Sequence, residues 1–326
     1  MNYNIRLAEE KDKKEVLRIL NEVFFDQQRA KYSRDEKYWN WKFIQSPFGR
    51  SLLTVAEDND KIIAVSNLWP WEFTYHGAKL KTLQACDSAV HKEYRGHGLF
   101  KLMRIHGIKL AINNNFDFIF NFPNQMSINA YRNLGWQYIG KIPWWVRLLK
   151  PSRIINVGKS TKQSIPVSVK EKFSINTDRL NSLGENDIKL DNNIKTNRVD
   201  NFHEWRYVNH PYRSYGMIES TTGGKAAIFT LNQKGANIEM VVVDIIGSCG
   251  NSNKLFEEIV EVGKEMEVSL IAVMGNERYD TGKLWKLKFV PRRLKNMTVL
   301  PLNICTDSIV TKYSNWSLVA GMHDSI

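Results

Sequence analysis

The stretch most suggestive of chemistry is residues 87–100, where two glycines, Gly96 and Gly98, follow an arginine. Glycines let the backbone turn several N–H groups toward one point, because no Cβ atom stands in the way. A helix that begins directly after them adds unpaired donors and a partial positive charge. With Arg95 and His97, this segment predicts a cradle for a pyrophosphate group.

Two well-known phosphate-binding loops do not fit this segment. A Walker A loop needs Gly-Lys followed by Ser or Thr, and no such residues follow the glycines. A dinucleotide fingerprint needs a third glycine where Lys101 stands, and strands joined by helical crossovers rather than by hairpins. The loop is therefore a phosphate cradle of another kind.

The elements that position the loop are a strand that ends near Val90 and an amphipathic helix from Gly98 to about Asn113. Three consecutive strands lead to it, separated by the hairpin signals at residues 58–60 and 76–77. A strand and two helical segments come first, and a strand, a helix and a strand follow. The order β-α-α-β-β-β-α-β-α-β predicts a mixed α/β fold, in which helices flank a mostly antiparallel mixed sheet.

Residues 90–100, Val-x-x-x-Tyr-Arg-Gly-His-Gly-Leu-Phe, resemble the R/Q-x-x-G-x-G/A signature of the GNAT superfamily of N-acetyltransferases. About thirty residues later, residues 129–136, Asn-Ala-Tyr-x-x-Leu-Gly-Trp, are similar to that family's second signature. The resemblance covers residues 1 to about 145. Phe100 departs from the pattern, which has glycine or alanine there. We expect its side chain to enter the core while its N–H faces the phosphate.

The resemblance implies that acetyl-CoA, or another acyl-CoA, is the co-substrate and that no metal is involved. It implies that Ser88 and Val90 offer backbone groups to the pantetheine arm and that Asn129 contacts the cofactor. Tyr131 would protonate the departing thiolate as general acid, because a phenol is neutral at pH 7 and less acidic than the thiol. The pyrophosphate would be held by Arg95, Gly96, His97, Gly98, Leu99 and Phe100.

The base that deprotonates the acceptor amine stays open among Asp87, Glu57 and His91, and a water relay is a further alternative. Asp87 is the first choice, because it precedes Val90 by three residues on a strand whose alternate side chains can face the acyl cleft. The amine would attack the thioester directly while backbone N–H groups polarise the carbonyl. No covalent enzyme intermediate is needed, so Cys86 is not assigned as a nucleophile.

The chain also contains an internal repeat. Residues 41–48, Trp-Lys-Phe-Ile-Gln-Ser-Pro-Phe, match residues 205–212, Trp-Arg-Tyr-Val-Asn-His-Pro-Tyr, in the class of side chain. Leu-Phe at 99–100 with Gly107 is echoed by Leu-Phe at 255–256 with Gly263. The repeat predicts two tandem GNAT-like domains.

The expected boundaries are an acyl-CoA-binding domain at 1–150, a linker at 151–172 and a degenerate domain at 173–326. In the second copy the loop at 247–254 lacks the arginine and the Gly-x-Gly, and Leu284 stands at the position of Tyr131. We therefore expect only the first domain to bind acyl-CoA.

Bulk properties narrow the class of protein further. The net charge is +12 without a run of five or six like charges, so a nucleic-acid partner is not indicated. Cys86, Cys249 and Cys305 are too widely spaced for a zinc site or a disulfide framework. No apolar run approaches the ~20 residues of a membrane span, and the N-terminus has no signal-peptide core, so we expect a cytoplasmic protein.

The leading hypothesis is an acyl-CoA-dependent N-acyltransferase, using acetyl-CoA and acting on a small amine. The resemblance to tandem members suggests an amino sugar of surface polysaccharide synthesis as the acceptor. One alternative is an aminoacyl-tRNA-dependent transferase of the tandem peptidoglycan-bridge type, which a basic surface would suit but whose families lack a good pyrophosphate loop. Another alternative is a non-catalytic module that senses acyl-CoA.

Overall fold

The computed structural model describes residues 3–26, 32–152, 172–188, 193–199, 201–234, 236–247, 253–275 and 281–323. The expected linker therefore lies almost wholly outside the described residues. Up to residue 152 the elements are β1 (Asn4–Leu7), α1 (Lys13–Asp26), α2 (Glu36–Tyr38), β2 (Leu52–Asp58), β3 (Lys61–Tyr75), β4 (Ala78–Val90), α3 (Leu99–Asn113), β5 (Phe118–Asn121), α4 (Ile128–Arg132) and β6 (Gln137–Leu148). This order confirms the predicted mixed α/β fold.

The second part of the chain follows a related order. Its elements are α5 (Thr177–Ile188), β7 (Lys195–Thr196), β8 (Tyr215–Glu219), β9 (Lys225–Lys234), β10 (Asn237–Gly247), α6 (Asn253–Glu265), β11 (Leu270–Met274), α7 (Thr281–Lys286), β12 (Val290–Pro301) and α8 (Ile304–Val310). Each part also contains a short π-helix within the repeated aromatic motif, Trp39–Ile44 in the first and Glu204–Val208 in the second. No helix in the described ranges is long and apolar enough to cross a membrane.

The chain forms two compact units. Unit 1 comprises residues 1–73, 79–140 and 296–313, and unit 2 comprises residues 74–78, 141–295 and 314–326. The division expected from the sequence has boundaries at 150 and 172, with one continuous stretch on each side. Each of these units instead combines three separate stretches of the chain. Unit 1 includes the end of β12, and unit 2 includes most of β6.

The sheet of unit 1 combines antiparallel hairpins with one parallel pair. Strands β1 to β4 follow in chain order, with β1–β2 and β2–β3 antiparallel. The parallel pair joins Thr82–Gln84 of β4 to Phe118–Phe120 of β5, with helix α3 as the connection. Next to β5, residues 298–301 of β12 pair with it antiparallel. On the edge facing β5, the last residues of β4 run beyond the paired stretch.

Unit 2 repeats this arrangement. Strands β8, β9 and β10 are antiparallel neighbours, and β10 pairs in parallel with β11 across helix α6. Residues 144–148 of β6 pair antiparallel with β11, in the position that β12 occupies beside β5 in unit 1. In unit 1 this neighbouring strand follows the other strands in the chain, and in unit 2 it precedes β8 to β11.

A buried aspartate ties the π-helix of unit 1 to strand β4. Asp87 Oδ2 lies 2.6 Å from Lys42 Nζ and accepts a hydrogen bond from Tyr38 Oη at 3.1 Å. Arg34 Nη2 lies 3.5 Å from Asp87 Oδ1. Burial would raise the pKa of the Asp87 carboxyl, but the charges of Lys42 and Arg34 outweigh burial and hold that pKa below its ordinary value.

Unit 2 contains a buried aspartate at the matching point of β10. Asp244 Oδ1 lies 2.7 Å from Arg198 Nη2, and its Oδ2 accepts a hydrogen bond from Tyr207 Oη at 2.9 Å. Arg206, which the repeat aligns with Lys42, donates instead to the backbone oxygen of Gly321 at 3.0 Å. Both units thus have a buried aspartate, but the cation that pairs with it stands at a different position of the repeat.

Replacing Lys42 by methionine tests the ion pair of unit 1. Lys42 is 1% exposed, so its loss leaves the Asp87 carboxylate buried without its nearest counter-charge. We expect K42M to lower the free energy of unfolding by about 3–5 kcal/mol, measured by chemical denaturation. The matched control K37M removes an exposed lysine of the preceding helical turn and should be nearly neutral. A loss below about 1 kcal/mol in K42M would contradict this assignment.

His203 gives unit 2 a dependence of stability on pH. The ring is 1% exposed with Nδ1 2.7 Å from Asn181 Oδ1, and burial, helped by the charge of Arg198, lowers its pKa from 6.5 to about 4. The unfolded chain therefore binds a proton at a higher pH than the folded chain does. The resulting stability is complete above pH 6.5 and is lost as the pH falls toward 4.

The variant H203Q should flatten this dependence. The shift from 6.5 to about 4 corresponds to about 3 kcal/mol between the two ends of the window. Denaturant titrations at several pH values should show that stability changes less with pH in H203Q than in wild type. Equal slopes in H203Q and wild type would show that His203 is not the group responsible.

Candidate acyl-CoA site

The predicted pyrophosphate loop connects β4 to α3 in unit 1. A 3₁₀ turn at Lys92–Tyr94 ends the strand region, and Arg95 is extended, with φ of −72° and ψ of 152°. Gly96 and Gly98 have φ values of 84° and 75°, in the left-handed region where a Cβ atom is unfavourable. The two glycines are thus the residues that this backbone path requires.

Helix α3 begins directly after the loop. Gly98 is its N-cap, and the first helical hydrogen bond runs from Leu102 N–H to Gly98 O at 3.1 Å. The N–H groups of residues 99–101 precede that bond and have no acceptor within the helix. Residues 95–98 are exposed, so an anion can approach this helix end from solvent. The geometry fits a pyrophosphate.

The side chains of the loop separate into exposed and buried ones. Arg95 is exposed, and its Nε donates to the backbone oxygen of Val90 at 3.1 Å, while His97 is also exposed. Leu99 is 2% exposed and packs in a core cluster with Val90 at its edge. Phe100 is partly buried and packs against another core cluster.

Tyr131 lies next to Phe100. The two ring centroids are 5.5 Å apart, and the Trp136 ring lies 4.8 Å from Tyr131 on another side. Tyr131 is 4% exposed, whereas Asn129, two residues earlier on α4, is exposed. The fold therefore brings the start of α3 and the second signature motif together, with the tyrosine inside and the asparagine outside.

Ser88 joins this group from β4. It follows the stretch of β4 that pairs with β5, and its hydroxyl accepts a hydrogen bond from Arg104 Nη2 on α3. The sequence did not single out Arg104. Its signal is a cation between Met103 and Gly107, within the apolar pattern of the helix.

The three candidates for the general base lie in different surroundings. Asp87 is held by Lys42 and Tyr38, so reaching an acceptor amine would require breaking those contacts. Glu57 is bound by Arg6, whose hydrogen bond lowers the pKa of that carboxyl. His91 lies 3.8 Å from Glu93. The ion pairs of Asp87 and Glu57 disfavour both as free proton acceptors.

The cysteines and the loop of unit 2 are described only in part. Cys86 is buried and accepts a hydrogen bond from Asn67 Nδ2 at 3.4 Å, and Cys305 is exposed. Cys249 and the rest of residues 248–252 lie outside the described residues. Leu284, at the position of Tyr131, is fully buried in the core of unit 2. Within the described ranges, no group of three or more His, Cys, Asp or Glu side chains could hold a metal ion.

Solved structures share this fold at low sequence identity. A GCN5-related N-acetyltransferase from Anabaena variabilis has a TM-score of 0.66 and 12% identity, covering 95% of this chain and 75% of that one. A probable N-acyltransferase from Enterococcus faecalis has a TM-score of 0.64 and 10% identity, covering 93% and 73%. Saccharomyces cerevisiae N-myristoyltransferase with bound myristoyl-CoA has a TM-score of 0.59 and 10% identity, covering 91% and 82%.

Sequence comparison finds a similarity in the first part of the chain. No curated protein matches the chain. The family model described as an acetyltransferase (GNAT) domain matches residues 4–139, which include both signature motifs, the loop and strands β1 to β5. The match and the geometry of the loop agree, and residues 4–139 are similar to a GNAT acetyltransferase domain.

Proposed function

We propose that unit 1 transfers an acetyl group from acetyl-CoA to the amine of a small acceptor. The observation that carries this proposal is the loop at residues 95–98, exposed and ending in a left-handed glycine at the start of a fifteen-residue helix. An amino sugar of surface polysaccharide synthesis is our first choice of acceptor.

In this proposal the backbone of Gly96 to Phe100 and the side chain of Arg95 hold the pyrophosphate. The pantetheine arm lies along β4 near Ser88 and Val90, where the strand runs past its pairing with β5. Asn129 is exposed on α4 and contacts the same ligand. The thioester supplies an acyl carbon that an amine can attack directly.

Tyr131 is the proposed general acid. The amine nitrogen forms a bond to the acyl carbon, the C–S bond breaks, and the phenol gives its proton to the sulfur. The proton lost from the amine nitrogen restores the phenol through solvent. We assign no single side chain as the base, because Asp87 and Glu57 are both engaged in ion pairs. A water relay fills that role.

Unit 2 is proposed to be a degenerate GNAT-like domain. Its parallel pair β10–β11 across α6 repeats the pair β4–β5 across α3. It lacks the loop arginine, and Leu284 is buried where unit 1 has Tyr131. Each chain would then have one active centre, in unit 1.

A second candidate function is the sensing of acyl-CoA without transfer. It is favoured by the burial of Tyr131, whose ring is 4% exposed and packs between Phe100 and Trp136. A tyrosine in that position can serve packing alone. The two functions share a ligand and differ in turnover, so binding and kinetics separate them.

The variant R95A tests the phosphate contact. Acetyl-CoA at about 100 times its dissociation constant should raise the stability of wild type by about 2.7 kcal/mol, seen as a thermal shift. Losing a hydrogen bond to a charged group should weaken acetyl-CoA binding by about 10-fold or more in R95A. The control K109A removes another exposed cation, further along α3, and should bind normally. No shift of wild type with any CoA compound would disprove the proposed function.

The variant Y131F tests the general acid. Removal of the phenol proton should lower kcat by about 100-fold or more, with the KM for acetyl-CoA little changed. The assay uses a panel of amino sugars and small amines, and the control Y138F alters a tyrosine that is 42% exposed on β6. Full activity in Y131F would reject the catalytic role. Acetyl-CoA binding without turnover of any amine would favour the sensor.

A further inference from the structure

Arg104 is a buried positive charge beside the candidate site. It is 1% exposed on α3, and its Nη1 donates to the backbone oxygen of Asn67 at 3.3 Å, while Nη2 donates to Ser88 Oγ. Its Cζ lies 5.7 Å from the ring centroid of Phe100 and 5.8 Å from that of Tyr131. Three of these four neighbours are residues that we assign to the acyl-CoA site.

The guanidinium of Arg104 has no counter-charge among the residues that the structure describes. Its hydrogen bonds go to neutral oxygens, and Nε has no partner there. Lys42 and Arg198, in contrast, are buried opposite Asp87 and Asp244. An unpaired buried charge costs free energy, and charges of that kind concentrate at functional sites.

The second copy of the repeat shows that the fold does not need this charge. Alignment of the Leu-Phe pairs and of Gly107 with Gly263 places Val260 at the position of Arg104. Val260 is 3% exposed and lies in the apolar core of unit 2, together with Leu284 at the position of Tyr131. The second copy therefore has apolar residues in place of both Arg104 and Tyr131, and it also lacks the loop motif.

The place of Arg104 also distinguishes it from the pyrophosphate contacts. Of those contacts, residues 95–98 are exposed at the start of α3, whereas Arg104 is buried further along the helix, with its Cζ 5.7 Å from the Phe100 ring centroid and 5.8 Å from that of Tyr131. A pyrophosphate on the exposed loop would therefore not be the partner of Arg104. The group next to Tyr131 becomes negative only when the C–S bond breaks.

We infer that Arg104 is a positioning residue that stabilises the negative charge formed at the leaving sulfur and on the Tyr131 phenol. This inference rests on the proposed function. As the amine nitrogen bonds to the acyl carbon, the electron pair of the C–S bond goes to sulfur. The phenol proton then converts the sulfur to a thiol and leaves a phenolate, which regains a proton released by the amine. A fixed charge within about 6 Å of that ring favours each anionic state.

The test measures the ionisation of the CoA thiol in the complex. The thiolate absorbs in the ultraviolet, and its titration against pH is followed with CoA fully bound to wild type, R104M, R104K and K109M. Affinities for CoA and desulfo-CoA are measured by calorimetry on the same proteins. R104M removes the charge at similar volume, R104K keeps it, and K109M removes an exposed charge from the same helix.

We expect the thiol pKa in the complex to be about 1–2 pH units higher in R104M than in wild type, as a charge about 7 Å away predicts at an effective dielectric constant of about 20. R104K and K109M should stay close to wild type, and desulfo-CoA should bind all four proteins with similar affinity. Loss of desulfo-CoA affinity in R104M equal to the loss for CoA would overturn the inference, because the charge would then serve binding in general.

If R104M does not fold, the wild-type protein still tests the inference. A CoA thiol that titrates in the wild-type complex as it does free in solution would overturn the role of Arg104 and leave acyl-CoA binding intact. Failure of wild type to bind CoA at all is a separate result. It would remove the proposed function and this inference with it.

Discussion

The interaction on which unit 1 depends is the buried ion pair between Asp87 and Lys42. It joins the π-helix of the aromatic motif to the last part of β4, two segments that are far apart in sequence. The strand leads directly into the glycine loop, so the position of the loop follows from the position of Asp87. Unit 2 has the same construction at Asp244, although Arg198 and not the aligned Arg206 supplies the charge. Both units therefore have a buried aspartate on this strand, but the cation that neutralises it comes from a different position in each unit.

The parts that could be predicted from sequence are those with local causes. Gly96 and Gly98 adopt positive φ because the loop turns there, and the helix begins at once. The hairpin signals and the amphipathic pattern of α3 predict the order of the elements, because each depends on residues that are near in sequence. The family match over residues 4–139 agrees with that reading.

The parts that could not be predicted depend on residues that are far apart in sequence. Asp87 looked like a catalytic base, because nothing in its own segment announces Lys42 or Tyr38 as partners. Strand β12 lies beside β5 only because the chain returns after more than 150 residues, which no local pattern encodes. The sequence does not single out Arg104, and only its position beside Ser88 and Tyr131 reveals an unpaired charge.

The difference between the two units separates what the fold requires from what chemistry requires. Both units have the π-helix, the buried aspartate and the parallel strand pair, and these features belong to the fold. Only unit 1 has the arginine and the Gly-x-Gly of the loop, together with the buried pair of Arg104 and Tyr131. In unit 2 the positions of Arg104 and Tyr131 are occupied by Val260 and Leu284, which pack in its apolar core. Arg104 is buried beside the proposed general acid without a counter-charge among the described residues, and this is our reason for placing the acyl-transfer centre in unit 1.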